Sequence, residues 1–291
     1  MSDTLHDIEA VITDDVTRAL AEDVRGGDLT ASLIPAAARG QARVIAKEDG
    51  VIAGREWFER CFTELDPDCE LFWHVEDGKR VAAGVQLCEI AGNARAMLTA
   101  ERSALNFLQT LSAVATKTRA FVEAVAGTHA KILDTRKTLP GLRQAQKYAV
   151  RVGGGTNHRI GLFDGILIKE NHIMAAGGIR PALVAAQALV QHQAPRDTMI
   201  EIEVETLEQL HEALDCGAKL ILIDNMSPDQ MRDAVKIVAA SGKSGVELEA
   251  SGGVNLQTVR AIAETGVHRI SIGGLTKDIK ALDLSMRFTM H

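Results

Sequence analysis

Four permanent cations stand where apolar segments run out in the second half of this 291-residue chain. Arg136 and Lys137 lie in Asp134-Thr135-Arg136-Lys137-Thr138, Arg159 in Asn157-His158-Arg159, and Lys169 in Lys169-Glu170-Asn171-His172. A single such residue reads as a solvated or salt-bridged surface group. The whole set, joined by His158, reads differently, because like charges gathered at one mouth destabilise each other unless an anion neutralises them. Arginine presents a planar fork that matches carboxylate or phosphate, whereas lysine supplies a compact, movable charge. The pairing of both types predicts a ligand carrying mixed anionic groups.

Two later segments, Ser251-Gly252-Gly253 and Ser271-Ile272-Gly273-Gly274, offer bare backbone N–H groups of the kind that cradle a phosphate. Either alone also suits an ordinary strand-to-helix turn; two in succession favour the phosphate reading. Between them and the cations stand two carboxylates, Glu203 and Asp224, which could hold Mg²⁺ directly or through water, accept hydrogen bonds from sugar hydroxyls, or simply pair with the neighbouring cations. Cysteine and histidine spacing predicts no zinc cluster, and His172 reads as ordering its own loop rather than ligating a metal.

The elements that must position these residues follow from hydrophobic periodicity. From residue 126 onward, apolar runs ending in polar residues alternate with helical stretches: Lys131–Asp134, Gly165–Lys169, Met199–Val204, Lys219–Asp224, Val246–Ala250 and Arg269–Gly273. Strands rich in Ile, Leu and Val that alternate with helices predict a parallel sheet, closed into an α/β barrel, whose chemistry sits at the C-terminal strand ends. Upstream, Thr4–Glu22 spaces Leu5, Ile8, Val11, Ile12, Val16 and Leu20 as a helix. Between Arg39 and Ile90, short β-like runs (Ala42–Ala46, Glu70–Val75, Gln86–Ile90) separated by glycines predict a small α+β domain, and a long helical region over 94–126 leads out of it. The expected division is an N-terminal α+β domain over 1–112, with the tail 276–291 packing on it, and a barrel domain over 113–275.

Composition narrows the partners. A net charge of −7 argues against nucleic acid, whose binders carry broad basic faces. The acidic start, with Asp3, Asp7, Glu9, Asp14 and Asp15, is unlike a signal peptide, and no apolar run approaches the roughly 20 residues of a membrane span. Cys61, Cys69, Cys88 and Cys216 show no paired spacing and read as free thiols. A cytoplasmic protein without membrane contact is expected.

Taken as a set, the chain resembles the type II phosphoribosyltransferases, and within them the quinolinate phosphoribosyltransferase family. The resemblance rests on Glu22-Asp23, Gly27-Asp28-Leu29-Thr30, Glu101-Arg102, Leu105-Asn106, Gln109, the three cationic segments, Glu203, Asp224-Asn225 and Ser251-Gly252-Gly253. It implies a partly open seven-stranded α/β barrel with a smaller N-terminal α+β domain, in a homodimer where one subunit's small domain caps the other's barrel. It implies transfer of a phosphoribosyl group from phosphoribosyl pyrophosphate to quinolinate, with loss of CO₂. Arg102 would reach across the dimer to the quinolinate carboxylates and join Arg136, His158 and Arg159. Lys137 and Lys169 would meet the donor and the reacting acid. Glu203 and Asp224 would serve the ribose hydroxyls and Mg²⁺. Thr135 would also touch substrate, and the segments Ser251-Gly252-Gly253 and Ser271-Ile272-Gly273 would take the 5′-phosphate. The implied catalytic residues are Lys137, Lys169, Glu203 and Asp224.

Three other readings stay open at this level: a Schiff-base enzyme using Lys169, a phosphoribosyltransferase with another acceptor, and an anion-binding module without catalysis.

Overall fold

A computed structural model of the chain describes residues 8–192, 195 and 198–290. In chain order its elements begin with α1 (Ile8–Val24), β1 (Arg39–Ala46), β2 (Gly50–Val51), α2 (Arg55–Thr63), β3 (Glu70–Trp73), β4 (Arg80–Val81), β5 (Gln86–Asn93) and α3 (Ala94–Ala124). Next come β6 (Lys131–Leu133), α4 (Arg143–Val152), β7 (Gly165–Ile168), α5 (Glu170–Ala176), α6 (Ile179–His192), β8 (Met199–Val204) and α7 (Leu207–Asp215). The chain continues through β9 (Leu220–Asp224), α8 (Pro228–Ala240), β10 (Glu247–Ser251), α9 (Val259–Ala263), β11 (Arg269–Ser271), α10 (Gly274–Lys277) and β12 (Leu284–Met290). Packing separates two units, one made of residues up to Arg119, Thr138–Gly154 and the chain from Gly274 on, the other of Ala120–Lys137 and Gly155–Gly273. This division places 138–154 with the N-terminal part and falls seven residues past the boundary expected at 112/113.

The first unit is built on an antiparallel sheet in the order β12-β1-β5-β3. Along β1 the side chains alternate, with Ala42, Val44 and Ala46 buried, so one face is covered and the other meets solvent. The covering layer is aromatic where α2 lies: Phe58 meets Trp73 of β3 edge-on at 5.4 Å, and Trp57, Phe58 and Phe62 are all buried. Asp77 accepts the Gly54 amide and the Tyr148 hydroxyl, both at 2.8 Å, while Trp57 donates its indole N–H to Asp15 at 3.0 Å. Those bonds join α1, α2 and α4 around carboxylates that burial pushes above their usual range. Gly54 adopts φ of 99°, and a Cβ there would sit 2.7 Å from Leu111, so this turn requires glycine. The helix expected to start at Thr4 is described from Ile8; Leu5 and the earlier acidic residues lie outside the described residues.

The second unit holds six parallel strands in the order β6-β11-β10-β9-β8-β7. The first strand pairs with the last, as a barrel requires and an open doubly wound sheet does not. The sheet is interrupted between β6 and β7, the two ends of that order. The expected seventh strand is reduced here to one parallel bridge, Leu133 with Thr156. The reason is local: 155–164 is occupied by turns, with Asp164 accepting the amides of Ile160 and Gly161 at 2.8 Å each, and this curl leaves no residues for a ladder.

Strand register sets which side chains share the barrel interior. Glu201 stands opposite Leu167 and Leu220, Glu203 opposite Leu222, Leu222 opposite Glu249, Asp224 opposite Ser251, and Glu249 opposite Arg269. Because successive residues alternate faces, all of these lie on one face, and Ile200, Ile202, Val204, Ile221, Ile223, Leu248, Ala250 and Ile270 lie on the other. That second face is the apolar layer against which helices pack. α8 starts where Ser227 accepts the Gln230 amide and the Gln230 side chain returns to the Ser227 amide, with Pro228 at the first helical position.

Ile202 is fully buried in the centre of β8. Ile202→Ala should cost about 2–5 kcal/mol of unfolding free energy in chemical denaturation, the range for truncating a packed aliphatic side chain. A loss below about 1 kcal/mol would contradict this packing.

Candidate active site

The C-terminal ends of the parallel strands carry the expected charges. Arg136 follows β6, Lys169 follows β7, Glu203 sits near the end of β8, Asp224 closes β9, and Ser251 closes β10. Arg159 comes from the turn that replaces a seventh strand. Its guanidinium donates to the Gly165 carbonyl at 2.8 Å, and its pKa is lowered first by burial and then by the neighbouring Arg136 guanidinium. Two arginines are thus held close enough to oppose each other's charge. The Arg136 Nε is buried without a hydrogen-bond partner. Repulsion and an unsatisfied donor together mark a place built for an anion.

On the adjacent strands, the Lys169 ammonium reaches Glu203 at 2.5 Å. Glu203 is 7% exposed, and burial raises its pKa against the pull of Lys169, with Asp224 pushing the same way as burial. Two carboxylates that repel each other while facing a charged mouth suit a hard divalent cation, which takes carboxylate oxygens. Glu203 and Asp224 therefore fit Mg²⁺, with Asp224 steadied by the Asn225 amide at 2.6 Å. His172 accepts the Lys169 backbone N–H at 2.9 Å, so it orders the start of α5 as its sequence position suggested.

The glycine segments are shaped by close approach. Gly252 has φ of 97°, and a Cβ there would lie 2.1 Å from the Asn225 side-chain oxygen Oδ1; Asn225 itself takes φ of 53°. Gly273 packs under the stem of Lys137, where a Cβ would come within 2.9 Å of Cδ. Thr135 accepts the Lys137 amide at 3.1 Å and holds that cation's backbone. Gly253 is exposed and Ser251 half-buried at the same rim.

Three of the expected site residues have their polar groups engaged within this unit. Ile272 is 3% exposed and spends its N–H on the Leu133 carbonyl at 2.9 Å, so it anchors β11 to β6 rather than facing an anion. His158 is 7% exposed, and both ring nitrogens are engaged: Nδ1 accepts the Arg159 amide at 2.8 Å, and Nε2 lies 2.8 Å from Glu201. Its place is beneath the mouth because Glu201 draws it inward. Ser271 is likewise buried and bonds to Glu249. Arg102 belongs to the first unit, exposed on α3, and lines a cavity of about 440 Å³ with Arg18, Glu22, Asp23 and Asn106.

Reading the strands only at their ends overlooked Glu201, Glu249 and Arg269. Glu201 and Glu249 are fully buried, and burial pushes both carboxyls up to about 7. Arg269 donates to Glu249 at 2.8 Å. The signal was present in Met199-Ile200-Glu201-Ile202-Glu203-Val204, where a charge recurs with period two inside a run otherwise apolar.

Comparison with known proteins agrees with this geometry. Residues 28–112 match the N-terminal domain of quinolinate phosphoribosyl transferase, and residues 114–287 match its C-terminal domain. The chain is 43% identical over 269 residues to the probable nicotinate-nucleotide pyrophosphorylase [carboxylating] of Bacillus subtilis, covering 92% of this chain and 90% of that one. It is 40% identical over 286 residues to a mitochondrial quinolinate phosphoribosyltransferase [decarboxylating] of Nicotiana tabacum, covering 92% and 80%. Among solved structures, the nicotinate-nucleotide pyrophosphorylase of Francisella tularensis superposes with a TM-score of 0.89 at 43% identity, covering 96% of each chain. NadC of Streptococcus pyogenes gives 0.90 at 39%, covering 96% and 97%. With both family domains matched in order along the chain, this protein belongs to the quinolinate phosphoribosyl transferase family.

Proposed function

We propose that this chain transfers the phosphoribosyl group of phosphoribosyl pyrophosphate to quinolinate, releasing pyrophosphate and CO₂ and yielding nicotinate mononucleotide for NAD biosynthesis. The observation that carries the reading is the opposed, half-buried pair Arg136 and Arg159, which suits a small diacid, standing in the same strand-end ring as Lys169, Glu203 and Asp224. The pyridine nitrogen attacks ribose C1 as the bond to pyrophosphate breaks. The nitrogen is then cationic, and the ring accepts the electron pair released when the adjacent carboxylate leaves as CO₂; a proton takes its place.

No protein nucleophile is needed, so the side chains act by alignment and by charge. Arg136 and Arg159 hold the acid's carboxylates. Lys169 meets the reacting acid and Lys137 the donor, above Gly273. Glu203 and Asp224 hold the ribose hydroxyls and Mg²⁺, and the Gly252–Gly253 segment takes the 5′-phosphate. Bound Mg²⁺ supplies positive charge to the departing pyrophosphate. A Schiff-base role for Lys169 is disfavoured, because its nitrogen is committed to Glu203 at 2.5 Å. Free Cys61, Cys69, Cys88 and Cys216 agree with a cytoplasmic setting.

The working form is a homodimer in which Arg102 of a second copy completes the acid site, an arrangement supported by the exposure of Arg102 on α3 and by the multiple charges of the acid.

Incubation with quinolinate, phosphoribosyl pyrophosphate and Mg²⁺ should release CO₂ and pyrophosphate in equal amounts, and chelation of the metal should stop it. Absence of both products would overturn the assignment. Arg136→Ala or Lys169→Ala should lower kcat/KM by at least about 100-fold while the circular dichroism spectrum is retained. Gly252→Ala should raise KM for the phosphoribosyl donor, because the turn cannot accept a side chain; an unchanged KM would remove that turn from the site. Mixing the inactive variants Arg102→Ala and Lys169→Ala, then allowing subunits to exchange, should restore about a quarter of native activity, since half the dimers would be mixed and each would carry one intact site. No recovery, with exchange verified, would refute a shared site.

A further inference from the structure

Below the charged mouth, the interior of the second unit holds a polar cluster that the proposed reaction does not use. Glu201 of β8 and Glu249 of β10 are fully buried, and Arg269 of β11 is 7% exposed. Arg269 Nε donates to Glu249 Oε2 at 2.8 Å, and its NH1 lies 3.7 Å from Glu247. His158 Nε2 stands 2.8 Å from Glu201 Oε2 and 3.6 Å from Glu249 Oε1. Ser271 bonds Glu249, and the charges of Arg159 and Glu203 bear on Glu201.

The other ring nitrogen decides the tautomer. His158 Nδ1 accepts the Arg159 amide at 2.8 Å, and a nitrogen that accepts a hydrogen bond carries no proton. The proton of the neutral ring is therefore on Nε2, where it is donated to Glu201. The three side chains also have the spacing of a metal trio, with ligand atoms within 4.8 Å of one another. Arg269 weighs against an ion: the guanidinium already gives Glu249 its positive partner, and a metal would need the Nε2 lone pair that the proton occupies.

The cluster ends at Arg159. Asp134 accepts the His158 amide at 2.9 Å and the Asn157 side chain at 2.5 Å. The segment 157–159 is thus pinned through its backbone on one side and through the imidazole on the other. Losing the Glu201 acceptor frees the ring to turn, and the Arg159 amide loses its partner.

We propose that Glu201 and Glu249, themselves fixed by Arg269, are positioning residues that hold His158 as its Nε2–H tautomer and through it set the backbone from which Arg159 reaches the acid substrate. The last step rests on the reading that Arg159 binds a carboxylate of quinolinate.

The test uses full-length protein labelled with ¹⁵N-histidine. Native protein at neutral pH should show one imidazole, assigned by its loss in His158→Asn, with a bare Nδ1 and a proton on Nε2; a protonated Nδ1 on that ring would overturn the proposal. Glu201→Ala should lose this signature and raise KM for quinolinate by about tenfold, the effect of one lost hydrogen bond to a charged group, with kcat and the KM for phosphoribosyl pyrophosphate changed far less. Glu201→Gln, which keeps an oxygen acceptor, should restore both. In an Arg159→Ala background, Glu201→Ala should add nothing to KM, because both act at one point; a full additional tenfold rise would show that Glu201 acts elsewhere. Should Glu201→Ala fail to fold, the native spectrum and Glu201→Gln decide. A protein that turns over no quinolinate would fail the functional reading, while the tautomer measurement would still decide the positioning role.

Discussion

Where water is excluded, charge has to be balanced within a few ångströms, and the second unit is organised by that constraint. Its barrel interior contains Glu201, Glu249 and Arg269 at one depth and Lys169, Glu203 and Asp224 nearer the rim. At the deeper level the chain supplies both signs itself, and burial keeps the carboxyls inclined to hold protons. At the rim the balance is incomplete. Arg136 and Arg159 oppose each other, and Glu203 and Asp224 do the same. Those residual imbalances are what an acid, a phosphate and a divalent cation would cancel, so ligand recognition is a continuation of the electrostatics that let the barrel fold.

The interrupted strand ladder is part of the same design. A complete seventh strand would carry its polar backbone in pairing, whereas the turn over 155–164 spends backbone amides on the side chains of Asp134 and Asp164. The turn thereby places Arg159 beside Arg136, one residue beyond a histidine locked to the interior. Rigid support of this kind suits a reaction that needs aligned substrates rather than a reactive side chain. The glycines at 252 and 273 add approach without bulk, each sitting where a methyl group would strike a neighbouring side chain.

Much of the architecture was legible in the chain itself. Six apolar runs ending in polar residues became β6 to β11 within a residue or two, because the helix-covered face of each strand must be written in apolar residues whatever the other face holds. The charges at those ends were legible for the same reason, since a polar residue closing an apolar run has few places to go. The tail strand β12 was overlooked although Leu284, Met286 and Phe288 alternate with Ser285, Arg287 and Thr289; its partner β1 lies about 240 positions earlier in the chain.

What the amino-acid order determined alone was the set of strands, the kind of charge at each end, and the glycines that only a tight turn explains. Tertiary structure decided the partners. His158 looks like one more cation at the mouth until register places Glu201 beneath it, and Ile272 looks like part of an anion loop until its N–H is found on Leu133. Both outcomes depend on groups more than forty positions away in sequence, brought close by barrel closure. Periodicity reports which face a residue takes, and it carries no information about what stands across from it.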